Sequence, residues 1–248
     1  MPWSNATFVT DVEKPVDNVD NQHPCGVLSL DGRVLGVFAK QPLAGRVKTR
    51  LCPPLSPQQA RSLYQVALQE TVTRFAASSA ALVLCCAGRR SWFTRAFPGV
   101  PLYSQGRGDL GSRLTRATRA WFAAGGAPVA VAGADSPDLP LTLIEAAFAA
   151  LESADVAAVA CRDGGYALLT LRQSVPALFA GIPWSTPEVL AATHRRASEL
   201  GLRFAVVGDW DDLDDLAALQ RLVVRSPSCR TAQFARAHLH TRLRSGCG

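Results

Sequence analysis

The sequence predicts an α/β fold, with a mixed and mainly parallel sheet flanked by helices. Three observations lead there. Short apolar runs alternate with longer stretches of helical period. The runs are bounded by Gly, Asp or Pro, as buried strands are. Two runs, DVAAVAC (155–161) and YALLTL (166–171), are separated only by a glycine-containing turn, so they can form a hairpin or an antiparallel edge.

The remaining strand candidates are VLGVFA (34–39), ALVLCCA (81–87), APVAVAGA (127–134) and RFAVVG (203–208). Between the first two runs a helix is expected with Ser56 as its N-cap and Pro57 at its first position. Ala60, Leu63, Tyr64, Ala67, Leu68, Val72 and Phe75 fall on one face of it. Further helices are expected over 110–124, 141–151, 187–200 and 213–223. Residues 1–32 show no period and are expected to be a poorly ordered leader. Residues 33–225 form the expected nucleotide-binding domain, and 226–248 a basic tail or last helix.

Composition narrows the function. The chain has 248 residues, 48% hydrophobic and 19% charged, which suits a packed enzyme better than a disordered protein. Its net charge of +6 raises the question of a polyanionic partner. No long basic run carries interleaved aromatics, so no nucleic-acid partner is expected. No apolar run approaches the ~20 residues of a membrane helix. The seven cysteines form no C-x-x-C and are odd in number, which points to reduced thiols and a cytoplasmic setting. The four histidines lack metal-ligand spacing, and no G-x-S-x-G or H-E-x-x-H occurs.

In a doubly wound sheet, ligands collect where strands end. FAKQPLAGRVKTRL (38–51) follows the first strand, and it holds two of the chain's three lysines. Lys40, Arg46, Lys48 and Arg50 make a compact cationic loop, and Gly45 permits close backbone approach or positive φ. A small phosphorylated ligand suits this loop. QGRGDLGSRL (105–114) offers glycine-loop amides and a helix start. In VAVAGADSPDLP (129–140), Asp135 sits just past a strand, well placed to hold a divalent cation against phosphates. Asp138 is expected to cap the next helix. Asp163 belongs either to a hairpin turn or to the mouth of a site. Trp184, Ser185 and Thr186 suit a sugar platform, or a lid and helix cap. Five aspartates lie between 209 and 215. Asp214 and Asp215 are expected in a first helical turn, and Asp209 or Asp211 can supply a second metal carboxylate.

Six segments in this order carry a resemblance: FAKQPLAGRVKTRL, QGRGDLGSRL, GADSPDL, DGGYALL, IPWSTPEVL and DWDDLDDL. They resemble the bacterial glycosyltransferase-A-like transferases of the radical-SAM- or selenium-associated and arsenosugar-biosynthesis type, over about residues 34–216. The resemblance implies a glycosyltransferase A (nucleotide-diphospho-sugar transferase, Rossmann-like) fold and a Mg²⁺ or Mn²⁺ cofactor. By it, Lys40, Gly45, Arg46, Lys48 and Arg50 lie near nucleotide phosphates, and Gln105, Gly106, Asp109 and Arg113 border the nucleotide. Asp135 and Asp211 hold the metal, with Asp135 and Asp163 catalytic. Tyr166, Trp184, Ser185 and Thr186 face the acceptor. Thr170 replaces a usual glycine, and 160–162 lacks the usual proline; both departures lie on the acceptor side. The implied reaction moves a sugar from a nucleotide sugar to a small acceptor. The first segment is also similar to phospholactate guanylyltransferases, which implies the alternative: an NTP coupled to a phosphorylated acceptor, with release of pyrophosphate.

Overall fold

The computed structural model describes residues 32–239. The expected leader lies outside them except for Gly32, and so do residues 240–248 of the tail. Strands are β1 (Gly32–Lys40), β2 (Ala81–Ala87), β3 (Leu102–Ser104), β4 (Gly126–Gly133), β5 (Val156–Cys161), β6 (Tyr166–Leu171) and β7 (Phe204–Trp210). Helices are α1 (Pro57–Phe75), α2 (Arg90–Ala96), α3 (Leu110–Ala123), α4 (Leu141–Ala149), α5 (Val189–Glu199), α6 (Leu216–Arg225) and α7 (Arg230–His238).

The strands form one sheet in the order β3-β2-β1-β4-β6-β5-β7. β6 runs antiparallel to both its neighbours; every other pair is parallel. The β5–β6 hairpin is therefore real, but β6 lies inside the sheet between β4 and β5, not at an edge. This placement explains its nearly unbroken apolar run, since an interior strand is buried on both faces. Thr170, the polar exception, donates its hydroxyl to the carbonyls of Ala147 and Ala157 at 3.0 and 3.1 Å. Each of six strands thus ends at the same rim of the sheet. The loops after β1, β3, β4, β5 and β7 gather there.

α1 begins as its sequence predicts. Ser56 accepts from the Gln59 amide, and the Gln59 side chain accepts from the Ser56 amide, closing a capping box. All seven residues of the expected apolar face are buried. α1, α2 and α4 cover one sheet face through Leu68, Phe75, Phe93, Ile144 and Phe148. α3, α5 and the turn Pro176–Phe179 cover the other, around Trp121. A third core joins α1, α6 and α7 with Leu51, Leu55 and Leu213. α7 is held end-on by Glu70 of α1, whose carboxylate accepts from the Arg230 and Thr231 amides and the Thr231 hydroxyl. Neither α2 nor β3 is visible in the sequence pattern, because seven and three residues are too few to establish a period.

β1 and α3 meet at Gly36. A Cβ there would stand 2.0 Å from Trp121 Cη2, and Trp121 is almost wholly buried. Gly36→Ala is expected to cost ~3 kcal/mol or more through overpacking, lowering the melting temperature by roughly 6–12 °C. Calorimetry on the pure variant checks this.

Candidate active site

The loop after β1 turns back at Gly45, whose φ is +72°, as Arg46 N–H donates to Leu43 O at 3.0 Å. It ends in the short helical turn Thr49–Leu51, with Lys48 just before it in the left-handed region at φ 49°. That conformation is uncommon for a residue with a side chain. Leu51 anchors the turn in the third core. The result drives the Lys48 side chain inward, to 5% exposure, with Nζ 2.9 Å from Asp135 Oδ1 and 3.1 Å from Asp214 Oδ1. Burial alone would lower its pKa, but the two carboxylates outweigh burial and hold it above the ordinary lysine value. Lys48 therefore stays an ammonium at neutral pH. Arg50 reaches the same Asp214 at 3.8 Å. Lys40, Arg46 and Arg50 are solvent-exposed around this centre.

The acidic partners come from two loops. Asp135 follows β4 and Asp214 follows β7. The two loops are pinned together, since Leu213 N–H donates to Asp135 O at 2.8 Å and Ser136 Oγ donates to Asp212 Oδ1. Asp212 also interacts with Asp135, Cys161 and Lys48. Its burial, reinforced by Asp135, pushes its pKa up to about 6 despite the Ser136 bond. The Cys161 thiol is pushed far up by burial and by Asp212. Asp135 Oδ1 is buried, with the Lys48 ammonium at 2.9 Å as its ionic partner.

Sequence reasoning placed several of these residues differently. Asp211 was expected as the second metal carboxylate. Its oxygens instead face three guanidiniums: Arg221 at 2.8 Å, Arg225 at 3.2 Å and Arg162 at 3.3 Å. The next residue, Asp212, is the one that joins Asp135. Asp214 is not in a helical turn but free to pair with Lys48, because α6 starts at Leu216 with Asp215 as N-cap. Asp138 caps nothing: α4 begins after Pro140, and Asp138 is buried against Arg225, Trp210 and Ser226. Asp209 lies within β7.

The second loop is built from within. Gln105 is buried and ties strand ends together, donating to Ala39 O at 3.1 Å and Cys85 O at 2.9 Å. Gly106 has φ +68°, and a Cβ there would meet Arg116 Nη1 at 2.6 Å. Arg113 donates to Gly108 O at 2.8 Å, and Arg116 to Arg107 O at 3.0 Å. Asp109 is the N-cap of α3, accepting from Ser112 N–H at 2.8 Å, and the Ser112 hydroxyl together with that amide lowers its pKa. Asp163 is exposed and accepts from Gly165 N–H at 2.9 Å inside the hairpin turn. Tyr166 and Trp184 pack with Ile182, Val189 and Ala192, and burial raises the Tyr166 pKa. Ser185 has φ 65°. Thr186 donates to Pro183 O at 2.8 Å and accepts from Glu188 N–H at 3.3 Å.

Among the described residues, no three His, Cys, Asp or Glu side chains group as a metal site. Asp135 and Asp212 still suit a hard cation, since two carboxylates with substrate phosphates and waters are a common Mg²⁺ arrangement.

The raised Asp212 pKa has a consequence for stability. The fold favours its neutral form, so its contribution is fully present below the unfolded carboxylate pKa of ~3.9 and is lost as pH rises through about 6. Asp212→Asn keeps an acceptor for Ser136 and removes the penalty. In chelator-treated protein the variant is expected to match wild type near pH 4 and to exceed it by ~2 kcal/mol above pH 7. Denaturant titrations across that range measure the difference.

Residues 68–186 match the family described as "Uncharacterized protein conserved in bacteria (DUF2064)". No curated protein matches the chain. Among solved structures, a candidate nucleotide-diphospho-sugar transferase from Desulfovibrio desulfuricans G20 is similar at 29% identity and a TM-score of 0.77, over 83% of this chain and 94% of that one. CMP:2-keto-3-deoxy-manno-octonic acid synthetase, complexed with CTP, is similar in fold at 12% identity and a TM-score of 0.53, over 79% and 98%. A nucleotidyl transferase from Methanothermobacter matches at 16% identity and a TM-score of 0.52, over 83% and 99%. The mixed, mostly parallel sheet of seven strands flanked by helices is thus the fold of the Desulfovibrio nucleotide-diphospho-sugar transferase candidate, and the synthetase and the nucleotidyl transferase are similar to it in fold.

Proposed function

We propose that this chain is a metal-dependent transferase with a nucleotide-activated donor, and that it moves a sugar from a nucleotide sugar to a small acceptor. The observation that carries the reading is Lys48, an ammonium buried against Asp135 and Asp214 at the strand ends, with Lys40, Arg46 and Arg50 exposed around it. A cationic rim beside clustered carboxylates suits a diphosphate and the cation that accompanies it. The likeness to the Desulfovibrio protein supports a nucleotide-sugar donor.

In this reading Lys40, Arg46, Lys48 and Arg50 bind the donor phosphates. Asp135 and Asp212 hold Mg²⁺ or Mn²⁺, with Asp212 taking the place the sequence suggested for Asp211. When bound, the cation would offset charge on the departing diphosphate. The glycine loop from Gln105 to Asp109, fixed by Arg113 and Arg116, borders the nucleotide. Asp163 faces the acceptor hydroxyl, and Trp184 with Ser185 and Thr186 forms the acceptor wall. The five described cysteines are all free thiols, which suits a reducing cytoplasm. The alternative is nucleotidyl transfer, favoured by the spacing of Lys40, Lys48 and Arg50, which is similar to that of phospholactate guanylyltransferases. An acceptor phosphate would then attack the α-phosphorus of an NTP and release pyrophosphate.

A thermal-shift screen of UDP-, GDP- and dTDP-sugars and the four NTPs, with and without Mn²⁺, separates these readings. Glycosyl transfer predicts metal-dependent stabilisation by one nucleotide sugar and its diphosphate. Stabilisation by an NTP alone, with the sugars silent, selects nucleotidyl transfer. Lys48→Ala is expected to weaken the active nucleotide by roughly 10–100-fold. Unchanged affinity in that variant, or no shift from any nucleotide, defeats the phosphate assignment.

A further inference from the structure

Two loops far apart in the chain supply Asp135 and Asp212, and their like charges repel. Two direct hydrogen bonds join the loops at the site, Leu213 N–H to Asp135 O and Ser136 Oγ to Asp212, and the Lys48 ammonium bridges Asp135 to Asp214 across them. Behind them lies a second layer of ionic contacts that the reaction does not use. Arg225, in the last turn of α6, grips Asp138 with a two-pronged fork: Nε to Oδ2 at 2.8 Å and Nη2 to Oδ1 at 3.0 Å. Its remaining arm, Nη1, reaches Asp211 Oδ2 at 3.2 Å. The guanidinium lies over the Trp210 ring at 4.4 Å. Asp138 is 1% exposed and also accepts from Ser226 Oγ at 2.7 Å and Trp210 Nε1 at 3.2 Å.

Asp138 lies three positions beyond Asp135 in one loop, and Asp211 immediately precedes Asp212 in the other. One planar group therefore binds both loops at once. Its charges close locally: Arg225 and Arg221 balance Asp138 and Asp211, and Arg162 adds a third guanidinium at the exposed edge. We infer that Arg225 is a positioning residue, a clasp that fixes the Asp135 and Asp212 carboxylates side by side without touching substrate. The inference rests on the proposed site, but the joining of the loops can be read without any substrate. Lysine cannot replace it, because a single ammonium lacks the fork that spans two carboxylates and the flat face that stacks on Trp210.

The test is amide hydrogen exchange on the whole chain, in wild type and Arg225→Lys. The Leu213 amide reports the joined loops directly. The clasp predicts at least a tenfold loss of Leu213 protection, while the amides of β1 and β2 keep theirs. If wild type turns over a donor, Arg225→Lys should lower kcat/KM more than tenfold and raise the Mn²⁺ concentration needed for half-maximal activity, because the two carboxylates are no longer held together. Unchanged Leu213 protection in a folded Arg225→Lys protein overturns the inference. If that variant does not fold, Ser226→Ala weakens the grip on Asp138 without altering charge. A smaller, selective loss at Leu213 then supports the clasp, and no loss there overturns it. Failure of every nucleotide to bind wild type would defeat the proposed function and leave the exchange result standing.

Discussion

A buried ammonium is tolerable only where carboxylates surround it. Lys48 imposes that condition on this structure, and much of the rim follows from it. Asp135 must come from the end of β4 and Asp214 from the segment after β7, so two distant loops have to meet. Their meeting buries Asp212 beside Asp135, which pushes the Asp212 pKa up to about 6. The third core completes the frame. Leu51, just beyond Lys48, and Leu213, just before Asp214, are buried in one cluster with α1, α6 and α7. Cation and anions are thus seated on a shared apolar base, and the ionic contact is oriented by hydrophobic packing.

The outline was legible in the sequence where physics is local. Ser56 and Pro57 announce α1 because capping needs only a few neighbouring residues, and its apolar face is fixed by helical period. Lys48 and Asp135 were legible because strand ends are easy to find and charged residues beside them are few. The mixed sheet was legible from the brevity of the 162–165 turn. Its interior placement of β6 was not, although the lack of alternation in YALLTL is the signal for a strand buried on both faces.

The misplacements share one cause. Whether Asp211 or Asp212 faces Asp135 depends on which way the chain turns after Trp210. That turn is decided by Arg221 and Arg225, a helix away. Asp138 looked like a helix cap because the guanidinium that claims it lies 87 residues further on. In each case the carboxylate's partner is set by tertiary packing, and spacing along the chain carries no trace of it.

The β5–β6 turn and the segment before α5 are built against each other. A Cβ on Gly164 would fall 1.9 Å from Pro187 O, and Leu190 N–H donates to Gly164 O at 2.9 Å. Gly111 of α3 is similarly close, with its Cβ position 2.7 Å from Trp184 Nε1. These three segments therefore form an indivisible graft. Transplanting the 182–187 segment from a relative would require importing its matching hairpin turn and helix start, since neither glycine leaves room for a neighbour of different shape.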